Sequence, residues 1–161
     1  MKKIAVIGTG LSALSLAYHL PTLDITFFEK SWRPGGRIST RRHNQYAFDH
    51  GAHYLKLDHG IIGLNEYLNK VDAIKILKGQ FCSNISQNSP IEDKEIIVGK
   101  EGNESIPINI HRSLHYPTYF SKQITSIETI NKEYYLIAGE ENLDHLIIFF
   151  AACPLSSLRR Y

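Results

Sequence analysis

Ile4-Ala5-Val6-Ile7-Gly8-Thr9-Gly10-Leu11-Ser12-Ala13 decides how this 161-residue chain is read. Four apolar residues ended by glycine suit a strand buried on both faces. Gly8 to Gly10 is then a turn. Leu11 to Leu20 carries Leu14, Ala17 and Tyr18, and Leu16 with Leu20, at helical spacing, and Pro21 stops the helix. Asp24 to Glu29 (DITFFE) is rich in branched and aromatic residues and predicts a second strand. Strand, tight turn, helix and strand make a βαβ unit, expected to be right-handed with parallel strands.

The turn has the pattern G-x-G-x-x-G/A, with Ala13 in the last place. Gly8 permits the tight turn, Gly10 lets backbone amides approach a pyrophosphate, and Ala13 is small enough for the helix to pack on the strand. The helix N-terminus presents free N–H groups and a positive dipole end, and Ser12 adds a hydroxyl donor. Glu29 lies 21 positions after Gly8. A carboxylate there accepts hydrogen bonds from adenosine ribose hydroxyls and repels a 2′-phosphate, which disfavours NADP. The competing reading is a glycine turn in an ordinary α/β domain, with Glu29 as a surface charge.

Glu29-Lys30 is followed by Arg33-Pro34-Gly35-Gly36-Arg37-Ile38-Ser39-Thr40-Arg41-Arg42. Two glycines let this loop lie against a ligand, and Arg37 can offer a diphosphate a planar, doubly donating guanidinium. A solvated basic loop or a patch for an anionic polymer is the alternative. Lys30 to Asn44 reads as an ordered loop, and Tyr46 to Leu57 as a short strand with a turn at Asp49-His50-Gly51. Leu64 to Val71 reads as a helix, Phe81 to Pro90 as polar and turn-rich, and Glu95 to Val98 as a strand. Asn103 to Leu114 predicts a short helix if Pro107 lies in its first turn. Ile124 to Ile130 and Glu133 to Ala138 flank Asn131-Lys132 and predict a hairpin. Leu146 to Ala151 predicts another buried strand, ended by Pro154.

Composition bounds the rest. An apolar fraction of 43% and a charged fraction of 21% are ordinary for a globular chain, and the net charge of +2 makes no case for nucleic acid or an anionic membrane. Arg41-Arg42-His43 alone is a thin nucleic-acid footprint. Cys82 and Cys153 are far apart and have no metal spacing, which suits a reducing cytoplasm and small buried side chains. Met1-Lys2-Lys3 before the apolar stretch Ile4 to Leu20 has features of a secretory leader. Two early glycines, and the chemical sense of Glu29 and Arg37, predict that the segment is retained. No metal site is expected, and no residue stands out as catalytic. Tyr116, Tyr119, Tyr134 and Tyr135 could line a pocket, but aromatic residues usually form core.

Glu29 followed by Gly-Gly-Arg-x-x-Thr resembles the extended FAD-binding signature of the amine oxidase superfamily, and Phe48-Asp49-His50-Gly51-Ala52-His53-Tyr54 resembles the segment leading toward the flavin in renalase and its bacterial relatives. Val98 to Gly102, the 124–136 hairpin and Asp144 to Pro154 resemble later parts of the same proteins more loosely. The resemblance implies one α/β domain over residues 1–161. Its fold would be a Rossmann-like FAD-binding βαβ unit with a parallel sheet plus a β-hairpin, truncated relative to the family, with a substrate-domain insertion starting within about 58–100. It implies that Gly8, Gly10, Leu11, Ser12 and Ala13 hold the diphosphate. Glu29 and Lys30 would lie at the ribose, and Gly36 and Arg37 would close over the diphosphate. Gly51, Ala52, His53 and Tyr54 would lie near the isoalloxazine, and Ile124 would meet the adenine through its backbone. His53 stands where the family has glutamine, and it serves either as a cofactor contact or as packing.

The implied function is an FAD-dependent oxidoreductase, its small-molecule substrate an amine or a reduced nicotinamide. The alternatives are a non-catalytic FAD-binding module and an NAD-binding domain, the latter disfavoured by Gly-Gly-Arg. Family members are longer and return a Gly-Asp motif that this sequence lacks. An exposed sheet edge, with self-association or a partner chain to cover it, is the corresponding expectation.

Overall fold

A computed structural model describes residues 3–56, 64–82, 91–131, 133–146 and 148–151. The N-terminal third contains β1 (Lys3–Ile7), α1 (Leu11–His19), β2 (Asp24–Phe28), β3 (Thr40–His43), β4 (Tyr46–Asp49) and β5 (Leu55–Lys56). Then come α2 (Leu64–Lys70), β6 (Ile74–Cys82), β7 (Ile91–Gly99), α3 (Ser105–Leu114) and β8 (Thr118–Tyr119). The chain continues with β9 (Ser126–Ile130), β10 (Glu133–Ala138), β11 (Glu141–Leu146) and β12 (Ile148–Ala151).

The central sheet has the order β12-β1-β2-β8, with every pairing parallel. Numbered along the chain and read from the β8 edge this is 3-2-1-4, the start of a doubly wound parallel sheet. β1 is covered on both sides, as its unbroken apolar run requires. Ile4 and Val6 point into a core shared with α1, α2 and α3, which holds Ala13, Leu14, Ala17, Leu68, Ile106 and Ile110. Ala5 and Ile7 point the other way, into a second core with Phe28, Ile124 and Leu136. The second core is closed by the antiparallel sheet β11-β10-β9. Helices on one face and an antiparallel sheet on the other therefore sandwich the strands that end at the glycine turn.

Most predicted elements stand where the sequence puts them. Pro107 is the third residue of α3, inside the first turn, where its missing N–H costs nothing. Asn131, at the β9–β10 turn, has a φ of 53°, as a tight hairpin demands. Four readings need correction. The basic stretch Thr40–His43 is a strand paired with Tyr46–Asp49 in a two-stranded ribbon, with Arg41, Arg42 and His43 exposed. Ile74–Cys82 forms a full partner to β7, which itself starts at Ile91. Phe81 and Cys82 thus belong to a strand, while residues 83–90 of the turn-rich reading lie outside the described residues. Glu141–Leu146 adds a third strand to the hairpin, so Leu146 ends β11 and the parallel strand runs over Ile148–Ala151. Cys153 and Pro154 also lie outside the described residues.

α3 is tied to the sheet edge by His111, half-buried between Phe27 and Phe120, whose Nε2 is 2.7 Å from Thr118 Oγ1. Burial, reinforced by the adjoining Arg112 guanidinium, holds this imidazole below its ordinary value of 6.5. The folded state thus prefers neutral His111. Its contribution to stability is present above the ordinary value and is lost as pH falls through the lowered one. Thermal unfolding is expected to occur at lower temperature at about pH 5 than at about pH 8, and His111→Gln should flatten that slope. Identical slopes in the two proteins would show that His111 carries none of it.

Candidate functional site

The site is built at the carboxyl ends of β1 and β2. Gly8, at φ 97°, donates its N–H to the Phe28 carbonyl at 2.8 Å and carries the parallel ladder one residue past the strand. Thr9 is fully buried, and both its N–H and its Oγ1 donate to Glu29 Oε2, each at 2.8 Å. Ser31 N–H donates to Glu29 Oε1 at 2.8 Å. Glu29 is 5% exposed, which rules out a plain surface charge. A carboxylate offers about four acceptor directions, and three are taken by the turn. Glu29 therefore fixes the turn and keeps acceptor capacity at its rim.

Gly10 is the residue flanking the start of α1, with φ −72° and ψ 169°, and the helix has no side-chain cap and no acid in its first turn. The helical ladder starts with Leu14 N–H to the Gly10 carbonyl at 3.1 Å. The amides of Leu11, Ser12 and Ala13 precede that ladder and point out of the helix end. Ser12 is exposed, Leu11 packs its side chain against the core, and Ala13 is buried beneath the sheet. A Cβ built on Gly10 meets no atom within 4 Å. The space above this glycine is open, and its backbone angles suit any residue.

The second glycine pair rests on the first. Gly35 N–H donates to the Thr9 carbonyl at 3.3 Å, and Gly35 bridges Gly10. Gly36, at φ 60°, would bring a Cβ to 3.6 Å from Gly10 Cα. Ile38, buried in the core, anchors this loop from below, and the Arg37 side chain is exposed. The Arg37 carbonyl accepts the Ala52 N–H at 2.9 Å. Gly51 comes so close that a Cβ there would lie 2.0 Å from the Arg37 carbonyl oxygen.

A polar hub that the sequence did not announce holds these loops. Thr40 Oγ1 donates to Asp49 Oδ1 at 2.5 Å and accepts the Glu104 N–H at 3.0 Å. Asp49 Oδ1 also accepts the Asn103 N–H at 2.8 Å. Glu104 is buried and carries Arg33 at 2.5 Å and Arg42 at 3.3 Å. The Arg33 contact is an ion pair without hydrogen-bond alignment, since Glu104 Oε2 has no hydrogen-bond partner among the described residues. Arg42 also donates to the Glu101 carbonyl at 2.5 Å. The basic residues of the loop are thus partly spent on structure. Arg33 with Trp32, ring to guanidinium at 4.4 Å, adds a cation–π contact.

The remaining predicted residues take different places. Lys30 is exposed beside Glu29, and the His53 and Tyr54 side chains are exposed at the end of the Gly51 segment. Ile124 is 4% exposed and its side chain is core. The chain leading to it pairs with Glu29, through Glu29 N–H to the Tyr119 carbonyl and Lys122 N–H to the Glu29 carbonyl, both at 2.9 Å. Tyr116 and Tyr119 pack against Phe27 and Phe28. A 550 Å³ depression lined by Tyr18, Tyr67, Lys70, Arg112 and His115 opens at the other end of α1. Among the described residues no group of three His, Cys, Asp or Glu could hold a metal, and no helix is long and apolar enough to cross a membrane.

Sheet order, glycine turn, open helix end and buried acid together define a Rossmann-like α/β fold. Residues 6–68 match the family model of the NAD(P)-binding Rossmann-like domain. The chain is 44% identical over 54 residues to coproporphyrinogen III oxidase of Staphylococcus aureus, covering 31% of this chain and 12% of that protein. It is 30% identical over 125 residues to the Drosophila melanogaster protein named "Possible lysine-specific histone demethylase 1", covering 76% of this chain and 13% of the relative. Its fold matches that of putrescine oxidase bound to putrescine, with a TM-score of 0.73 at 11% identity, over 99% of this chain and 60% of the other. The chain therefore spans a small part of these curated relatives and about 60% of the solved oxidase.

Proposed function

We propose that this chain holds FAD at the glycine turn and serves an oxidoreductase of the amine oxidase kind. The observation that carries the proposal is Gly10. Nothing in the chain itself requires glycine there, because φ is ordinary and the space is open. A diphosphate lying over the turn does require it, because a side chain would fill that space. The uncapped amides of Leu11, Ser12 and Ala13 are suitable donors for such a group. Gly8 shapes the turn, Glu29 meets the ribose with Lys30 beside it, and Gly36 and Arg37 close the far side. Gly51, Ala52, His53 and Tyr54 serve the flavin end, and the Ile124 backbone serves the adenine. The choice of FAD over NAD is supported by the Gly-Gly-Arg loop stacked on Gly10 and by relatives that are oxidases.

The flavin, when bound, supplies hydride acceptance from a small substrate, an amine or a reduced nicotinamide, and delivery to oxygen. The chain's own residues bind, orient and shield. A second reading is a non-catalytic FAD-binding module. Visible absorption after gel filtration with added FAD tests binding, and flavin bands eluting with the protein are the expected result. Oxidation of reduced nicotinamide with release of peroxide then separates enzyme from module. A protein that elutes colourless overturns the proposal.

A further inference from the structure

Asn103 stands at the entry to α3 and is 1% exposed. Its Oδ1 accepts the Gly99 N–H at 2.8 Å, and its Nδ2 donates to the carbonyls of Ala52 at 2.8 Å and His53 at 2.9 Å. Both amide hydrogens are used, and the network fixes which way the amide points. Its backbone N–H goes to Asp49. No peptide bond among the described residues is cis, so each C=O there points opposite to the N–H of the next residue. Two successive carbonyls held toward Asn103 therefore turn the N–H groups of His53 and Tyr54 away from α3.

We propose that Asn103 is a positioning residue, which sets the peptide planes of Ala52 to Tyr54 for contact with the flavin end of FAD. The inference rests on the FAD reading of the site and adds to it a residue far in sequence from the glycine turn, the Gly35-Gly36 loop and the Gly51 segment. Asparagine is suited to the role because it supplies one acceptor and two donors in a fixed plane. Aspartate keeps the acceptor for Gly99 but sets an oxygen against two carbonyls, beside Asp49. Leucine strands all three backbone groups without partners.

The test compares FAD with ADP, which carries the adenosine diphosphate part and lacks the flavin. Asn103→Asp is expected to weaken FAD binding about tenfold while ADP binding stays within about twofold. The visible band shape and fluorescence of the bound flavin should change as well. A residue that merely holds the fold together would lower both affinities in step. Equal loss of both ligands, or an unchanged FAD affinity and spectrum, overturns the positioning role. If Asn103→Asp does not fold, as judged by circular dichroism and gel filtration, Asn103→Ser carries the same comparison, since its hydroxyl keeps one donor. A parent chain that binds neither ligand overturns the FAD reading itself. A parent that binds ADP as tightly as FAD overturns the positioning role alone.

Discussion

Gly10→Val is expected to abolish retention of FAD and ADP while leaving the unfolding temperature within about 2 °C of the parent. Two opposed stability terms nearly cancel. Valine at an ordinary φ restricts the unfolded chain and gains about 0.4–1 kcal/mol. It is also a poorer helix cap than glycine, at a similar cost. No neighbour lies within 4 Å to be pushed aside. Binding has no such compensation. Hydrogen bonds from amides to a charged group are worth about 1.5–3 kcal/mol each, so displacing a diphosphate from two of them costs upward of a hundredfold in affinity. Titration with both ligands, beside thermal unfolding of the same samples, reads the two effects separately. Undiminished binding would mean that no diphosphate crosses Gly10.

Gly51→Ala should act in the opposite sense, through the fold. Its new methyl would lie 2.0 Å from the Arg37 oxygen and 2.8 Å from the Arg37 carbonyl carbon, which are backbone atoms with little freedom to yield. The Ala52-to-Arg37 and His50-to-Ser39 hydrogen bonds lie on either side of the contact, at 2.9 and 3.3 Å, and both must open. Overpacking with loss of these bonds is expected to cost about 2–3 kcal/mol, or roughly 5–10 °C in unfolding temperature for a chain of this size. Melting curves of parent and variant decide it. A shift near zero would show that the 37–39 and 50–52 segments separate freely.

The βαβ unit was legible because each of its signals is local. An apolar run, a glycine turn, a helical period and an acid at the end of the next strand all fall within thirty residues. The Thr40–His43 ribbon was not, because Arg41, Arg42 and His43 look like a solvated loop, and a two-stranded ribbon leaves them just as exposed. Ile74–Cys82 carries Lys75, Lys78 and Gly79, which blur its alternation; pairing with β7 overrides the weak propensity. The hub of Thr40, Asp49, Asn103 and Glu104 left no trace in the sequence. Each is a polar residue in a turn-rich stretch, and Asp49 and Asn103 are 54 positions apart. The burial of Thr40, Asn103 and Glu104 exists only once α3 is docked. For Glu29 the position was readable, and its grip on Thr9 was not.

The register of the central sheet also dictates an order of assembly. Ile4 lies opposite Ile148, and Ile7 opposite Ala151, so the first strand is flanked on one side by the last described segment. The β1–β2 pairing, by contrast, closes over about twenty residues. As the chain emerges from a ribosome, the glycine turn can form early against β2, while the opposite flank of β1 waits until β12 has been made. Pairings of such sequence separation are slow to form, because the closing loop must lose its freedom before any contact rewards it. Until then β1 offers an unpaired row of amides and carbonyls, and crowding by neighbouring nascent chains at that stage selects for aggregation.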